Sequence, residues 1–441
     1  MGEDKLLRRM FLAANLAVLL VIVLMPFLKV YYVTAVSRVW TVDDDGVADF
    51  STIQGAINAA ADGDIVFVHN GKYSEDVVLN KSLSLIGESK DSAIIQSIGG
   101  LLYSVNVNAS DVFLANLTIR GGLCGIAVQG ERVTIASCKF LSNSVGVYLA
   151  GYNCSIIDNE FVRNDVGIDV FGSDSNVILN NHIEQNNWIG ISVEFQSKYN
   201  LIKFNNISEN GFSPYFPEFT GGISLYDSWS NTFVGNNIIL NNIQVKDHGP
   251  GLSLNVWSED FPSCGNYWSD YVEKFPNASE IQDSGIWATP YSVNEANVDE
   301  YPLVAPIQVF NVNTLDGKSS RMAMSTNSTV SALIFNLNDQ FSVSFNVTGA
   351  SGTTGFCRVT IPNELAKIGS VWNVLIDGEK TNCTAYPTQD SSYLYFACNH
   401  SVRTIKIESS EPIPEFTGLI IPLLLMMVAL TAILARKRKF D

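Results

Sequence analysis

Between about residues 119 and 254 one arrangement of apolar and polar positions recurs, marked by the apolar residues Phe140, Phe161, Ile183, Ile207 and Ile238. Two positions before these marks stand Cys138, Asn159, Asn181, Asn205 and Asn236. Three positions after them stand Asn143, Asn164, Asn186, Asn210 and Asn241. A Gly-apolar-x-apolar stretch then follows in each repeat, at 146–149, 167–170, 190–193, 222–225 and 251–254. An earlier rung, with Ile119 and Gly125-Ile126-Ala127-Val128, keeps the apolar pattern without the asparagines. The rungs are 21 to 24 residues long where no insertion intervenes, too short for a helix-turn-helix repeat. Their β-branched residues alternate with period two. Three short strands and three turns per coil fit a right-handed parallel β-helix, so the fold class is all-β. Stacked coils place like residues above like, and an asparagine column can tolerate left-handed backbone and hydrogen-bond its own copies.

The flanks extend this reading. Ser51-Thr52-Ile53-Gln54 has the spacing of a capping box with Ser51 as N-cap. Ile53, Ala56, Ile57 and Ala60 then form the stripe of a short amphipathic helix that would cover the open end of the solenoid. Strands are expected at 65–68 and 83–86. From about Ile307 the pattern changes to separate alternating strands, including 331–336, 341–347 and 356–361, with a hairpin at Asp377-Gly378. The predicted organisation is a signal peptide or N-terminal anchor over 1–36, a β-helix with its closing segment over 37–306, an Ig-like β-sandwich stalk over 307–410, and a membrane anchor with a basic tail over 411–441.

The two ends motivate the outer domains. Met10 to Leu28 is apolar, follows Lys5, Arg8 and Arg9, and precedes the small residues near Val33-Thr34-Ala35, as in a secretory signal. At 19 residues it is also long enough for an uncleaved anchor. Gly418 to Leu434 is followed at once by Arg436, Lys437, Arg438 and Lys439, which places that end in the cytoplasm and the body outside. The chain carries a net charge of −17. Residues 36–415 hold 19 of its 27 Lys and Arg and 41 of its 44 Asp and Glu, a net of −22. So acidic a body excludes nucleic acid as a partner. Ten Asn-x-Ser/Thr sequons, at Asn80, Asn108, Asn116, Asn153, Asn206, Asn277, Asn327, Asn346, Asn382 and Asn399, are glycosylation candidates, and none is a ladder asparagine. Cys383 and Cys398 flank an expected hairpin and are a disulfide candidate. Cys124, Cys138 and Cys154 read as small buried apolar groups or a further disulfide.

Asp49-Phe50-Ser51-Thr52-Ile53-Gln54, Gly71-x-Tyr73-x-Glu75 and Leu85-Ile86-Gly87 resemble the opening of pectin-lyase-like β-helices. The asparagine rungs resemble the NosD-like family of archaeal and bacterial surface or periplasmic proteins. So do Gly265-Asn266-Tyr267-Trp268-Ser269-Asp270-Tyr271, Thr289-Pro290-Tyr291 and Asp299-Glu300-Tyr301-Pro302-Leu303. The resemblance covers roughly residues 40 to 306. It implies a calcium-binding segment before Thr289, but residues 279–288 are poor in carboxylates here, so the expected cofactor is none and the expected metal site none. Pro414-Glu415-Phe416 resembles a sorting signal processed by an archaeosortase-like enzyme; a plain linker is the alternative. Copper, suggested by the family's namesake, wants clustered His, Met or Cys, and His69, His182, His248 and His400 are scattered.

The fold hosts lyases, hydrolases, esterases and epimerases as well as non-enzymes. Catalytic candidates are Glu160, Asp169, His182, Glu184 and Glu194, acidic or basic groups expected on outward or edge positions of two neighbouring rungs. Carbohydrate-binding candidates are Phe212, Tyr215, Phe216 and Phe219 in the insertion that interrupts the fifth rung, with Tyr226, Trp229 and Trp257 from the following coils. The leading expectation is a surface-anchored β-helix that binds extracellular polysaccharide or glycoprotein glycans or acts structurally in the cell envelope. The alternative is a polysaccharide-active enzyme, with a copper accessory role behind both.

Overall fold

Short strands separated by tight turns leave each coil with unpaired N–H and C=O groups along both edges, and stacking identical coils satisfies them. A computed structural model describes residues 37–100, 102–214, 220–248, 254–314, 318–337 and 340–412. In it the coils form three parallel sheets of nine, nine and eight strands. The first sheet runs from Val39–Val42 to Thr232–Val234, the second from Gly71–Ser74 to Tyr267–Trp268, and the third from Val77–Leu79 to Val245–Asp247. The N-terminal segment 1–36 and the apolar run 418–434 lie outside the described residues. Among the described residues no helix is long and apolar enough to cross a membrane.

The apolar marks form one interior column. Phe140 pairs with Phe161, Phe161 with Ile183, Ile183 with Ile207, and Ile207 with Ile238, all completely buried. Each such side chain contributes roughly 1.5–3 kcal/mol. The glycines of the third sheet are required by this packing. A Cβ on Gly146 would stand 2.5 Å from Gly167 O and 2.8 Å from Phe161 Cδ1.

Both expected asparagine lines exist. Asn159 Nδ2 donates to Asn181 Oδ1 (3.0 Å), Asn181 to Asn205 (2.9 Å), and Asn205 to Asn236 (3.0 Å). Asn143, Asn164, Asn186, Asn210 and Asn241 are linked in the same way. Each Oδ1 also accepts the backbone N–H of the equivalent residue one coil earlier, Cys138 for Asn159, Gly122 for Asn143 and an asparagine for the rest. Each Nδ2 donates to a carbonyl further back, as Asn205 does to Ile178 O at 2.8 Å. The left-handed backbone, however, belongs to the residue before each asparagine: Asp158, Asn180 and Phe204 have φ of 59°, 54° and 59°. The amide side chain satisfies the turn that its neighbour's backbone makes. A third line, Asn176–Asn200–Asn231–Asn255, was not anticipated from the repeat. None of the ten sequon asparagines is buried.

The family-like ends are structural. Helix α1 (Ile53–Ala59) packs Ile53, Ala56 and Ile57 into the first coil's core. Its N-cap is Thr52, not Ser51, with Thr52 Oγ1 accepting from Gly55 N. Gln54 reaches outward to Val78 N instead of back to the cap (2.7 Å). The free N–H groups of Ile53 and Gln54 are taken by Glu75 (2.8 and 2.9 Å), and Tyr73 OH bonds Val42 O and His69 O. At the far end the line of Asn159 continues to Asn266, whose N–H donates to Asp299 Oδ2 at 2.7 Å. Asp299 is fully buried and also accepts from Trp268 Nε1 (2.8 Å) and Tyr301 N (3.2 Å). Phe233, Trp257, Trp268 and Tyr291 stack upward to close the core. Trp257 is 1% exposed, so it is part of this plug and not a binding surface.

Two five-stranded antiparallel sheets follow, Ile307–Asn313 opening one and Thr329–Asn336 the other. They enclose Met322, Phe341, Phe345, Val359, Phe396 and Ile407. Asp377 and Gly378 both have positive φ at the expected hairpin. The sandwich is joined to the last coils: buried Arg358 donates to Ser284 O (3.0 Å) and Pro262 O (2.5 Å), and Arg321 meets Asp158 at 2.9 Å. Cys383 and Cys398 are free. Thr384 pairs with Tyr395, which sets Cys383 opposite Phe396, out of register with Cys398. Cys124, Cys138 and Cys154 are free and buried as well.

Replacing Asn205 by Ala should cost roughly 3–5 kcal/mol in urea unfolding, since it strands the buried N–H of Asn181 and the carbonyl of Ile178. Asn206→Ala, on the half-buried outward position beside it, should cost less than about 1 kcal/mol.

Candidate functional site

Alternate residues of a strand face opposite ways, so each interior column of the third sheet is flanked by outward ones. In one outward column Tyr148 pairs with Asp169, Asp169 with Ser192, Ser192 with Ser224, and Ser224 with Lys246. In the next, Phe171 pairs with Glu194 and Glu194 with Tyr226. His248 comes next, just past the final strand, its N–H bonded to Leu225 O at 2.8 Å.

Phe195, left-handed at φ 52°, completes a run of rings along this face. Its centroid lies 4.3 Å from Phe171 and 5.6 Å from Tyr226, while Phe171 lies 5.7 Å from Tyr148. Phe195 and Tyr226 are 48% and 39% exposed, enough to offer their faces to a ligand. Beside the rings, Asp169 is half-buried, and its Oδ1 has no hydrogen-bond partner. Burial, reinforced by Glu194, pushes the Asp169 acid up to about 7. Burial and the nearby Asp169 also raise the Tyr148 phenol. Ser192 Oγ donates to Glu194 Oε1 at 2.5 Å. Burial, followed by Lys246, lowers His248. A carboxylic acid that keeps its proton near neutrality, next to a second carboxyl group, can donate a proton or a hydrogen bond to a bound hydroxyl or ether oxygen.

The catalytic candidates therefore divide. Asp169 and Glu194 share the third sheet. Glu160, His182 and Glu184 lie on the second, with Glu160 and His182 paired in one column as expected. Glu160 is bound by Lys90 and lies 3.5 Å from Lys139. His182 Nε2 is 2.9 Å from Glu184, and its Nδ1 meets Asn206 at 3.1 Å. These are saturated surface pairs. Of the aromatic candidates, Tyr226 joins the ring ladder, Trp229 is half-buried, and Phe212 is exposed beside Gln185, Glu209 and Leu240. Tyr215, Phe216 and Phe219 lie outside the described residues. Tyr148, Phe171, Phe195 and His248 were missed. Their signal was the outward position of each Gly-apolar-x-apolar stretch and the position just past it, read down the rungs.

Residues 57–273, just under half of the chain, match the family described as periplasmic copper-binding protein (NosD), and this segment is a NosD-family domain. A cell surface glycoprotein of Methanothermus fervidus is 34% identical over 190 residues, which is 43% of this chain and 28% of that protein. The chain thus spans under a third of the curated relative it matches. Among solved structures, an alginate lyase from Paenibacillus is 13% identical with a TM-score of 0.39, covering 53% of this chain and 98% of that one. The pectate lyase Pel9A is 14% identical with a TM-score of 0.36, covering 56% and 82%. Likeness this distant carries no active site or substrate over to this chain.

The described residues do not fit copper. His69 lies by Glu88, His182 by Glu184, His248 just past the third sheet's final strand, and His400 is buried against Ser328 and Thr353. Among the described residues, the one group of three His, Cys, Asp or Glu within reach of a common ion is Asp43, Asp44 and Asp45, an all-oxygen set. In residues 279–288 Glu280 accepts from Gly285 N at 2.7 Å and Asp283 is exposed, short of the six to eight oxygens calcium takes.

An acid held near 7 binds a proton that the unfolded chain releases at the usual carboxylate range. Its contribution to stability is therefore lost as pH rises from about 4 to about 7. Buried Asp299, also pushed up to about 7, acts in the same direction. Asp169→Asn should therefore reduce, without abolishing, the fall in unfolding free energy across this window, by up to ~1.4 kcal/mol per pH unit. An unchanged slope would show that Asp169 is ionised throughout.

Proposed function

We propose that this NosD-family β-helix is a cell-surface protein that holds polysaccharide or glycoprotein glycans along the third sheet. The ring ladder of Tyr148, Phe171, Phe195 and Tyr226 carries the proposal: its repeat follows the coils, and sugar rings stack on exposed aromatic faces. The surface location is supported by the glycoprotein relative, by the unburied sequons and by the apolar run with its basic tail at 418–439. That tail would anchor the chain in a membrane unless an archaeosortase-like enzyme exchanges it for a lipid.

The raised acid of Asp169 favours a second reading, a glycan-cleaving enzyme on the same face. Asp169 would protonate the glycosidic oxygen as water attacks the anomeric carbon, with Glu194 taking the water's proton. Long incubation with a bound glycan separates the readings. New reducing ends that disappear in Asp169→Asn establish hydrolysis; an intact ligand establishes binding alone.

Gel retardation in polysaccharide-loaded gels should show binding that falls at least tenfold in Phe195→Ala/Tyr226→Ala, with the melting temperature moving by no more than about 3 °C, because both rings are surface groups. Equal retardation of the variant would remove the ladder from function, and absence of retardation on every polysaccharide would leave a structural role in the envelope.

A further inference from the structure

Stacking on aromatic rings uses the C–H face of a sugar and is indifferent to charge elsewhere on it. The groups between these rings are not indifferent. Glu194 stands between Phe171 and Tyr226 in one column. Asp169 lies beside it with a buried, unpartnered carboxyl oxygen. Other titratable groups near the pair are Tyr148 and Cys124 on preceding strands, Tyr226 on the next, and Lys246, Asp247 and His248 at the far end. The two described columns hold no arginine to clamp a carboxylate.

A polyuronate carries one carboxylate on every sugar. Laid along the ladder, it would bring these charges against Glu194 and Asp169 in a half-buried setting, where like charges repel more strongly than in water. A neutral hexose or N-acetylhexosamine chain instead brings hydroxyl donors to carboxyl acceptors. We propose that the Asp169–Glu194 pair makes the ladder selective for uncharged glycan chains over polyuronates, an inference that rests on the glycan-binding reading above.

The test is calorimetric titration of the full chain at low ionic strength with chitohexaose, mannohexaose, cellohexaose and hexagalacturonate, at pH 5 and 8. At least one neutral hexamer should bind tenfold or more tighter than hexagalacturonate at pH 8, and the gap should narrow at pH 5, where Asp169 is uncharged. Asp169→Asn/Glu194→Gln should shift the preference at least tenfold toward hexagalacturonate, with circular dichroism checking that the variant is folded. Equal or tighter binding of hexagalacturonate overturns the selectivity while leaving the glycan-binding reading intact. So does hexagalacturonate binding that needs added calcium, since the pair would then be a cation site. Failure of all four hexamers to bind overturns both.

Discussion

The buried N–H at each turn is the constraint on which the rest of the solenoid depends. A coil of some two dozen residues turns three times, and each turn aims backbone donors into an interior with no water to accept them. One side-chain amide per turn solves this. Its oxygen takes the N–H of the previous coil and its nitrogen returns a bond to a carbonyl, as Asn181, Asn205 and Asn236 do in succession. Such chains have direction and must end in an acceptor. Asp299 is that end for one line, and its two oxygens facing N–H donors explain why burial alone does not dislodge it. The adjacent backbone is part of the same device, because a Cβ on Gly265 would lie 1.7 Å from Asp299 Oδ1.

The residues carrying the family likeness thus have structural roles. Glu75 caps a helix, Tyr73 ties two turns together, and Trp268, Tyr271 and Tyr291 close the top of the core. With the interior so completely specified, the outward columns are free to vary. On the second sheet they became ion pairs such as Lys90 with Glu160. On the third they became rings and carboxyl groups, of which Asp169 keeps one oxygen without a hydrogen-bond partner. Only the latter leave bonding capacity unused, and an acceptor left unsatisfied on a half-buried face carries a cost that a ligand hydroxyl would remove.

The antiparallel sandwich docks on the closing segment and the last strands of the second sheet. Arg358 inserts its guanidinium among carbonyls of the closing segment and lies over the Tyr393 ring at 4.8 Å. The desolvation that lowers its pKa is offset by those carbonyls and by the ring. Together with the Asn237–Ile307 pair of hydrogen bonds, at 2.8 Å each, this fastens the sandwich to the end of the solenoid.

The period of the sequence was sufficient for the β-helix, two of its asparagine lines and the change of pattern at Ile307, because stacking copies a residue's environment from coil to coil. The third line escaped notice because Asn176, Asn200, Asn231 and Asn255 fall at a turn the chosen marks did not index. Periodicity also could not say which outward columns would be neighbours. Asp169 and Glu184 are close in sequence, yet two turns and the first-sheet strand between them send them to different sheets, whereas Tyr148 and Tyr226 are far apart and share one face. Trp257 looked like a binding aromatic by composition, but the last coil must close its apolar interior, and only the packing of Phe233 and Trp268 around it shows that it fills that role. Which side chains keep hydrogen-bonding capacity free was decided by the tertiary structure, because satisfaction depends on partners that the turns bring from other coils.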